Sequence, residues 1–218
     1  MSAAGEAPAL WRVGYHGDPL AFAPRELYEF SHRFDDVARR FRTLYLAEEP
    51  ETALREVLAD FRPNLAAQLR HVERFGAEAA EDFAAQSVTA AWRRQNVLVR
   101  AGVTPEGPTV DLTDPAVRQT VEQRHVQLLA AHGLDHLDLH EITTARRAIT
   151  QTIAAELYDG GAAAVRFPSR IDGRACVALF EGRGTLELVE GPVVLTDPAP
   201  APLITVAEDW QLALEPAP

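Results

Sequence analysis

Thr43-Leu44-Tyr45-Leu46-Ala47-Glu48-Glu49-Pro50-Glu51-Thr52-Ala53-Leu54-Arg55-Glu56-Val57-Leu58-Ala59-Asp60-Phe61 is the stretch on which the fold turns. Its first five residues form a compact apolar run, the pattern of a buried strand. Three acids and a proline follow. Proline at a first helical position gives up an N–H that would be unpaired there anyway, and acids suit the positive end of the helix dipole. Ala53, Leu54, Val57, Leu58 and Phe61 then make one apolar stripe at helical spacing, with Glu56 off that stripe near its Ala53 edge. A buried strand running straight into an amphipathic helix predicts a mixed architecture.

Upstream, residues 10–13 read as a first strand, followed by a loop marked by Gly14, Gly17 and Pro19. Downstream, residues 64–95 are rich in Ala, Glu, Gln and Arg and read as helical. Residues 96–100 and 109–112 read as strands. Thr113-Asp114-Pro115 combines a capping side chain with an early proline, so it starts a helix that runs to about Ala131 and ends at Gly133. Another helix begins near Thr143 or Thr144 and ends at Gly160-Gly161. The last third reads as strands over 163–167, 174–180, 185–190 and 193–196, before a proline-rich, extended tail at 198–202. The expected class is α+β, with helices in the middle and strands toward both ends. No solenoid repeat and no interdomain linker appears, so residues 1–218 are expected to form a single domain.

Composition narrows the function classes. A hydrophobic share of 47% and a charged share of 24% are ordinary for a globular chain, and no apolar run reaches the ~18 residues of a membrane helix. No membrane association is therefore expected. Residues 1–10 lack the basic and apolar regions of a signal peptide. One cysteine, Cys176, excludes an internal disulfide framework and fits a reducing, cytoplasmic setting. At a net charge of −11, the chain would repel a phosphate backbone on average, so no direct nucleic-acid binding is expected. Arg33, Arg39, Arg40 and Arg42 are the one dense basic cluster, either a local anion site or a solvated face. Homo-oligomerisation is left open.

Dinucleotide, Walker A, zincin and nucleophile-elbow motifs are all absent. His132, His136 and His140 have i, i+4, i+8 spacing, but Gly133 interrupts them, and the segment reads as a loop entering a short strand. No metal is expected. Cys176 sits in an apolar run and reads as a buried, inert thiol.

Three segments stand out together: His32-Arg33-Phe34-Asp35; Leu44-Tyr45-Leu46-Ala47 continuing through Pro50 to Val57; and Phe167-Pro168-Ser169-Arg170-Ile171-Asp172-Gly173-Arg174. Their order and spacing resemble the RES domain, named for an arginine, a glutamate and a serine. Arg33 precedes an aromatic residue, Tyr45 closes a short strand, Glu56 precedes the valine of an A-L-x-E-V helix, and Ser169 follows a proline in a P-S-R turn. The likeness spans about residues 10–190, with 62–108 as a helical insertion. One departure is that Ser31-His32 stand where the family usually has glycines.

The resemblance implies an ADP-ribosyltransferase-like fold, a mixed sheet core with surrounding helices. It implies a toxin that cleaves NAD+ at the nicotinamide–ribose bond by phosphorolysis, hydrolysis or ADP-ribosyl transfer. It also implies an Xre-type helix-turn-helix antitoxin as partner, and NAD+ as substrate without a metal. Residue chemistry is consistent with this. Glu56 could stabilise an oxocarbenium-like transition state. Arg33 could grip a pyrophosphate by two parallel bonds, Tyr45 offers a flat face to a base, and Ser169 could orient an amide or ribose. Arg12 is a second candidate for an anion contact. Each also has a plainer reading: Arg33 paired with Asp35 or Asp36, Tyr45 a core aromatic, Glu56 a solvated acid, Ser169 a turn residue. Two other functions fit the sequence: a RES-like protein that binds a nucleotide without turning it over, and an interaction module with no small-molecule site.

Overall fold

The structure, a computed structural model, describes residues 9–83, 86–144 and 146–218. The signal-peptide reading of the first ten residues falls largely outside them. Seven strands, β1 (Ala9–Tyr15), β2 (Thr43–Ala47), β3 (Asn96–Pro105), β4 (Thr109–Asp111), β5 (Ala164–Pro168), β6 (Ala175–Phe180) and β7 (Gly184–Val194), form one sheet in the order β4-β5-β6-β2-β1-β3-β7. Only β4–β5 is parallel. The helices are α1 (Pro50–Leu58), α2 (Leu65–Phe75), α3 (Ala90–Gln95), α4 (Pro115–Arg124), α5 (Val126–Ala131), α6 (Leu139–Thr143), α7 (Arg147–Asp159) and α8 (Ala201–Trp210). The class is α+β, as the strand-to-helix reading predicts.

The run 43–47 is apolar throughout because β2 lies at the centre of the sheet, with both faces covered. Leu44 and Leu46 point into a smaller cluster with Leu10, Ala101, Val103, Val177 and Leu179. Tyr45 and Ala47 point the other way, into the main core with Phe34, Leu54, Leu58, Ile149 and Phe167. α1 lies on that second face. Its Leu54 and Leu58 are fully buried, each contributing about 1.5–3 kcal/mol. Gly14 lets the chain turn back over β1, since a Cβ there would collide with the Pro19 backbone.

Several sequence expectations are corrected. Residues 62–108 are not one helical insertion: β3 lies inside the sheet between β1 and β7, and only the part up to Gln95 is helical. The helix begun at Pro115 breaks at His125 into α4 and α5. Leu139–Thr143 is a helix, not a strand, and Glu141 closes its start by accepting the Asp138 N–H at 3.0 Å. Residues 185–190 and 193–196 are not two strands, because one strand runs through to Val194 with two register shifts against β3. The prolines of the tail initiate α8 instead of an extended segment. Among the described residues, no helix is long and apolar enough to cross a membrane.

Candidate active site

A cavity of about 460 Å³ opens on the α1 face of the sheet. Its floor comes from β1 and β2, its walls from α1, the loop between β1 and β2, and the β5–β6 turn. Arg33, Tyr45 and Glu56 all line it. Ser169 does not line it, but lies directly behind Glu56. The Ser169 hydroxyl donates to Glu56 Oε1 at 2.6 Å and accepts the Ile171 N–H at 3.0 Å, while the residue is only 2% exposed. Residues 33, 45, 56 and 169 thus converge from segments far apart in sequence. Ser169, however, faces the glutamate and not the open cavity.

The serine is held by a tight hairpin. Its N–H donates to Arg174 O at 2.7 Å, and Gly173, at φ 74°, supplies the left-handed turn position and donates to Ser169 O at 3.0 Å. Asp172 ties this turn to α1, accepting from Thr52 Oγ1 at 2.7 Å and pairing with Arg55 at 3.4 Å. Glu56 and Ser169 are therefore fixed to each other through two elements as well as by their own bond.

Arg33 sits in a loop clamped on both sides. Phe34 is fully buried against Phe167, with ring centroids 4.7 Å apart. The Phe34 N–H donates to the Tyr45 hydroxyl at 2.9 Å, and its carbonyl accepts from Thr43 Oγ1 at 3.0 Å. Buried Asp35 collects the Tyr28 hydroxyl at 2.6 Å, the Tyr45 hydroxyl at 3.3 Å and the His32 N–H at 2.7 Å. Burial, reinforced by Asp35, pushes the Tyr45 phenol well above its ordinary pKa, so it remains a neutral hydroxyl. Its oxygen is thus engaged within the protein, while its ring lies edge-on to His32 and Phe167, two other residues of the cavity lining. The Ser31-His32 departure costs no backbone strain. Neither residue has a positive φ, and Phe30, at φ 54°, takes the left-handed position.

Arg33 pairs with neither Asp35 nor Asp36. Its guanidinium donates to the carbonyls of Ile142, Thr143 and Thr144 at the end of α6, the latter two at 3.0 and 2.7 Å. Three of its five N–H groups are used, leaving one on Nε and one on Nη2. Burial lowers the pKa of Arg33; Glu56 acts to raise it, and Arg170 and Arg147 act to lower it. Those last two arginines also line the cavity and were missed by sequence reasoning. The other members of the basic cluster are occupied: Arg40 by Asp36 and Asp159, Arg42 by Glu181, while Arg39 lies over the Phe30 ring. Arg12 reaches the cavity but spends its donors on the carbonyls of Pro19, Ala21 and Tyr45, and so braces the loop over β1. Trp11, Tyr15 and Trp92 add aromatic surface to the lining. Cys176, also in the lining, has its thiol pushed far above its ordinary pKa by burial, which makes it a poor nucleophile.

Chemically, the site offers a carboxylate fixed by a buried hydroxyl, a neutral phenol, guanidinium donors and flat apolar faces. The RES domain family model matches residues 9–200. No curated protein matches the sequence. Among solved structures, a chain of the crystal structure of the M. tuberculosis MbcT–MbcA toxin–antitoxin complex is similar in fold. Its TM-score is 0.52 at 17% identity, over 84% of this chain and 82% of that one.

Proposed function

The chain belongs to the RES domain family, and on that premise we propose that it cleaves NAD+ at the nicotinamide–ribose bond as the toxin of a toxin–antitoxin pair. The observation that carries this reading is the Ser169–Glu56 pair, 2.6 Å apart, beside a cavity that also holds Arg33. Departure of nicotinamide leaves positive charge on the ribose. A carboxylate already oriented when that charge develops stabilises it without reorganising. Glu56 is the group to do this, with Ser169 fixing its rotamer from behind. Arg33 anchors the phosphate half of the substrate through the N–H groups it has left. The Tyr45 ring and the aromatic lining receive the flat rings. The natural partner is an Xre-type antitoxin.

The test is nicotinamide release from NAD+ by the purified protein, with and without inorganic phosphate. Release is expected, and Glu56→Gln, which keeps shape and removes charge, should reduce it by ~10²–10³. If the protein binds NAD+ but releases no nicotinamide under either condition, the enzyme reading is wrong and a nucleotide-binding role replaces it.

A further inference from the structure

We propose that Arg147 and Arg170 join Arg33 to form a seat for phosphate oxyanions within the cavity. The inference rests on the proposed function only for the identity of the molecule that carries the phosphate. In the chain as a whole, acids outnumber bases by 32 to 21, yet the cavity reverses that balance, with four arginines against Glu56 and Asp60. Of the other arginines, Arg25, Arg40, Arg42, Arg55 and Arg166 form ion pairs with the plentiful acids, whereas Arg39, Arg62, Arg94 and Arg118 form none among the described residues. Arg33, Arg147 and Arg170 form none among the described residues either, although Arg33 senses the charge of both others. It is their shared place in the cavity lining that sets these three apart.

Their bonding state differs in a way that suits a ligand. Arg170 makes no hydrogen bond among the described residues, so all five of its donors are available. Among the described residues, the Arg147 side chain donates only to Ser31 O. Arg33 keeps one N–H on Nε and one on Nη2, the pair that lies side by side on a guanidinium edge. Four guanidiniums outnumber Glu56 and Asp60 in the lining, and Glu56 is already bonded to Ser169, so a ligand with two or more negative oxygens offsets the excess positive charge. A pyrophosphate diester in the substrate has that chemistry, and so does free inorganic phosphate.

Calorimetry on the wild-type chain would use three probes: ADP-ribose, inorganic phosphate and nicotinamide riboside. The informative variant is Arg170→Gln, since Arg170 has no internal bond to lose; Arg147→Gln is the second, with its fold checked by circular dichroism. Each substitution should weaken ADP-ribose by about tenfold or more, as expected for lost charge-assisted bonds, and leave nicotinamide riboside unchanged. If inorganic phosphate alone also binds in an Arg170-dependent way, the seat takes a free anion; if only ADP-ribose does, it takes the phosphates of the substrate. Unchanged ADP-ribose and phosphate affinity in Arg170→Gln, or equal weakening of all three probes, would overturn the proposal. No turnover is needed, so arginine-dependent binding without nicotinamide release would refute the proposed cleavage and leave the seat standing.

Discussion

Ser169→Ala separates two roles that a family serine can have, touching the substrate or holding the glutamate. In the structure, its hydroxyl reaches Glu56 and the Ile171 N–H, and the residue is buried. A hydrogen bond to a charged group is worth about 1.5–3 kcal/mol. Glu56 is exposed to water, which competes for its oxygens, so the lower end applies. About 1.5 kcal/mol is roughly tenfold in rate. Ser169→Ala should therefore slow nicotinamide release about tenfold, against ~10²–10³ for Glu56→Gln. The decisive measurement is the double variant in single-turnover assays. If Ser169 acts through Glu56, the double variant should be no slower than Glu56→Gln, because the bond being removed has already lost its charged partner. A double variant slower by the product of the two single effects would refute the reasoning and put Ser169 against the substrate.

Arg33→Lys should lower the melting temperature, because one ammonium cannot span the carbonyls of Ile142, Thr143 and Thr144; it should also weaken NAD+ more than nicotinamide riboside, and equal weakening would leave Arg33 a purely structural role. Asp36 is buried, which pushes its pKa up, but hydrogen bonds from the Arg40 side chain and backbone bring it below its ordinary 3.8. Its contribution to stability is therefore fully present above about pH 3.8 and lost as pH falls through the lower folded value. Urea unfolding should show Asp36→Asn destabilised at pH 7, with the gap to wild type closing in acid; a gap constant with pH would count against this account. Native Cys176 should resist thiol reagents and react only after unfolding, and fast labelling of the folded protein would contradict its burial.

The parts of the fold that were legible in sequence are those whose cause is local. Pro50 and the stripe through Leu54 and Leu58 announce α1, and the apolar run of β2 announces a strand with both faces covered. Asp114 caps α4 as its side chain suggests, accepting the Ala116 N–H at 2.8 Å. The helix at 139–143 was missed although its signal was present, an Asp138 followed three residues later by Glu141. The prolines before α8 read equally well as an extended tail or as a helix start, and only packing of Leu203 and Val206 into the core decides between them. The place of β3 in the sheet is not written locally at all, since strand order depends on partners. The same limit governs the site. Arg33, Tyr45, Glu56 and Ser169 were found by their order along the chain; Arg170 lies in the same quoted turn as Ser169 but was given no role, whereas Arg147 reaches the cavity through tertiary packing alone. For Ser169, sequence gave the position; only the structure showed that it faces Glu56.

Because β2 is closed on one side by β6, and the turn carrying Ser169 and Arg170 precedes β6 directly, the cavity has no wall on that side until the chain has been made beyond Phe180. At a synthesis rate of about 5–20 residues per second, the interval between the emergence of β2 and of β6 is on the order of ten seconds. Throughout it, the early segment has Glu56 but neither the hydroxyl that aims it nor the last guanidinium. A nascent chain thus carries Glu56 without its hydroxyl partner until the turn at Ser169 has been made, and a message cut short before that turn yields a fragment whose cavity lacks one wall.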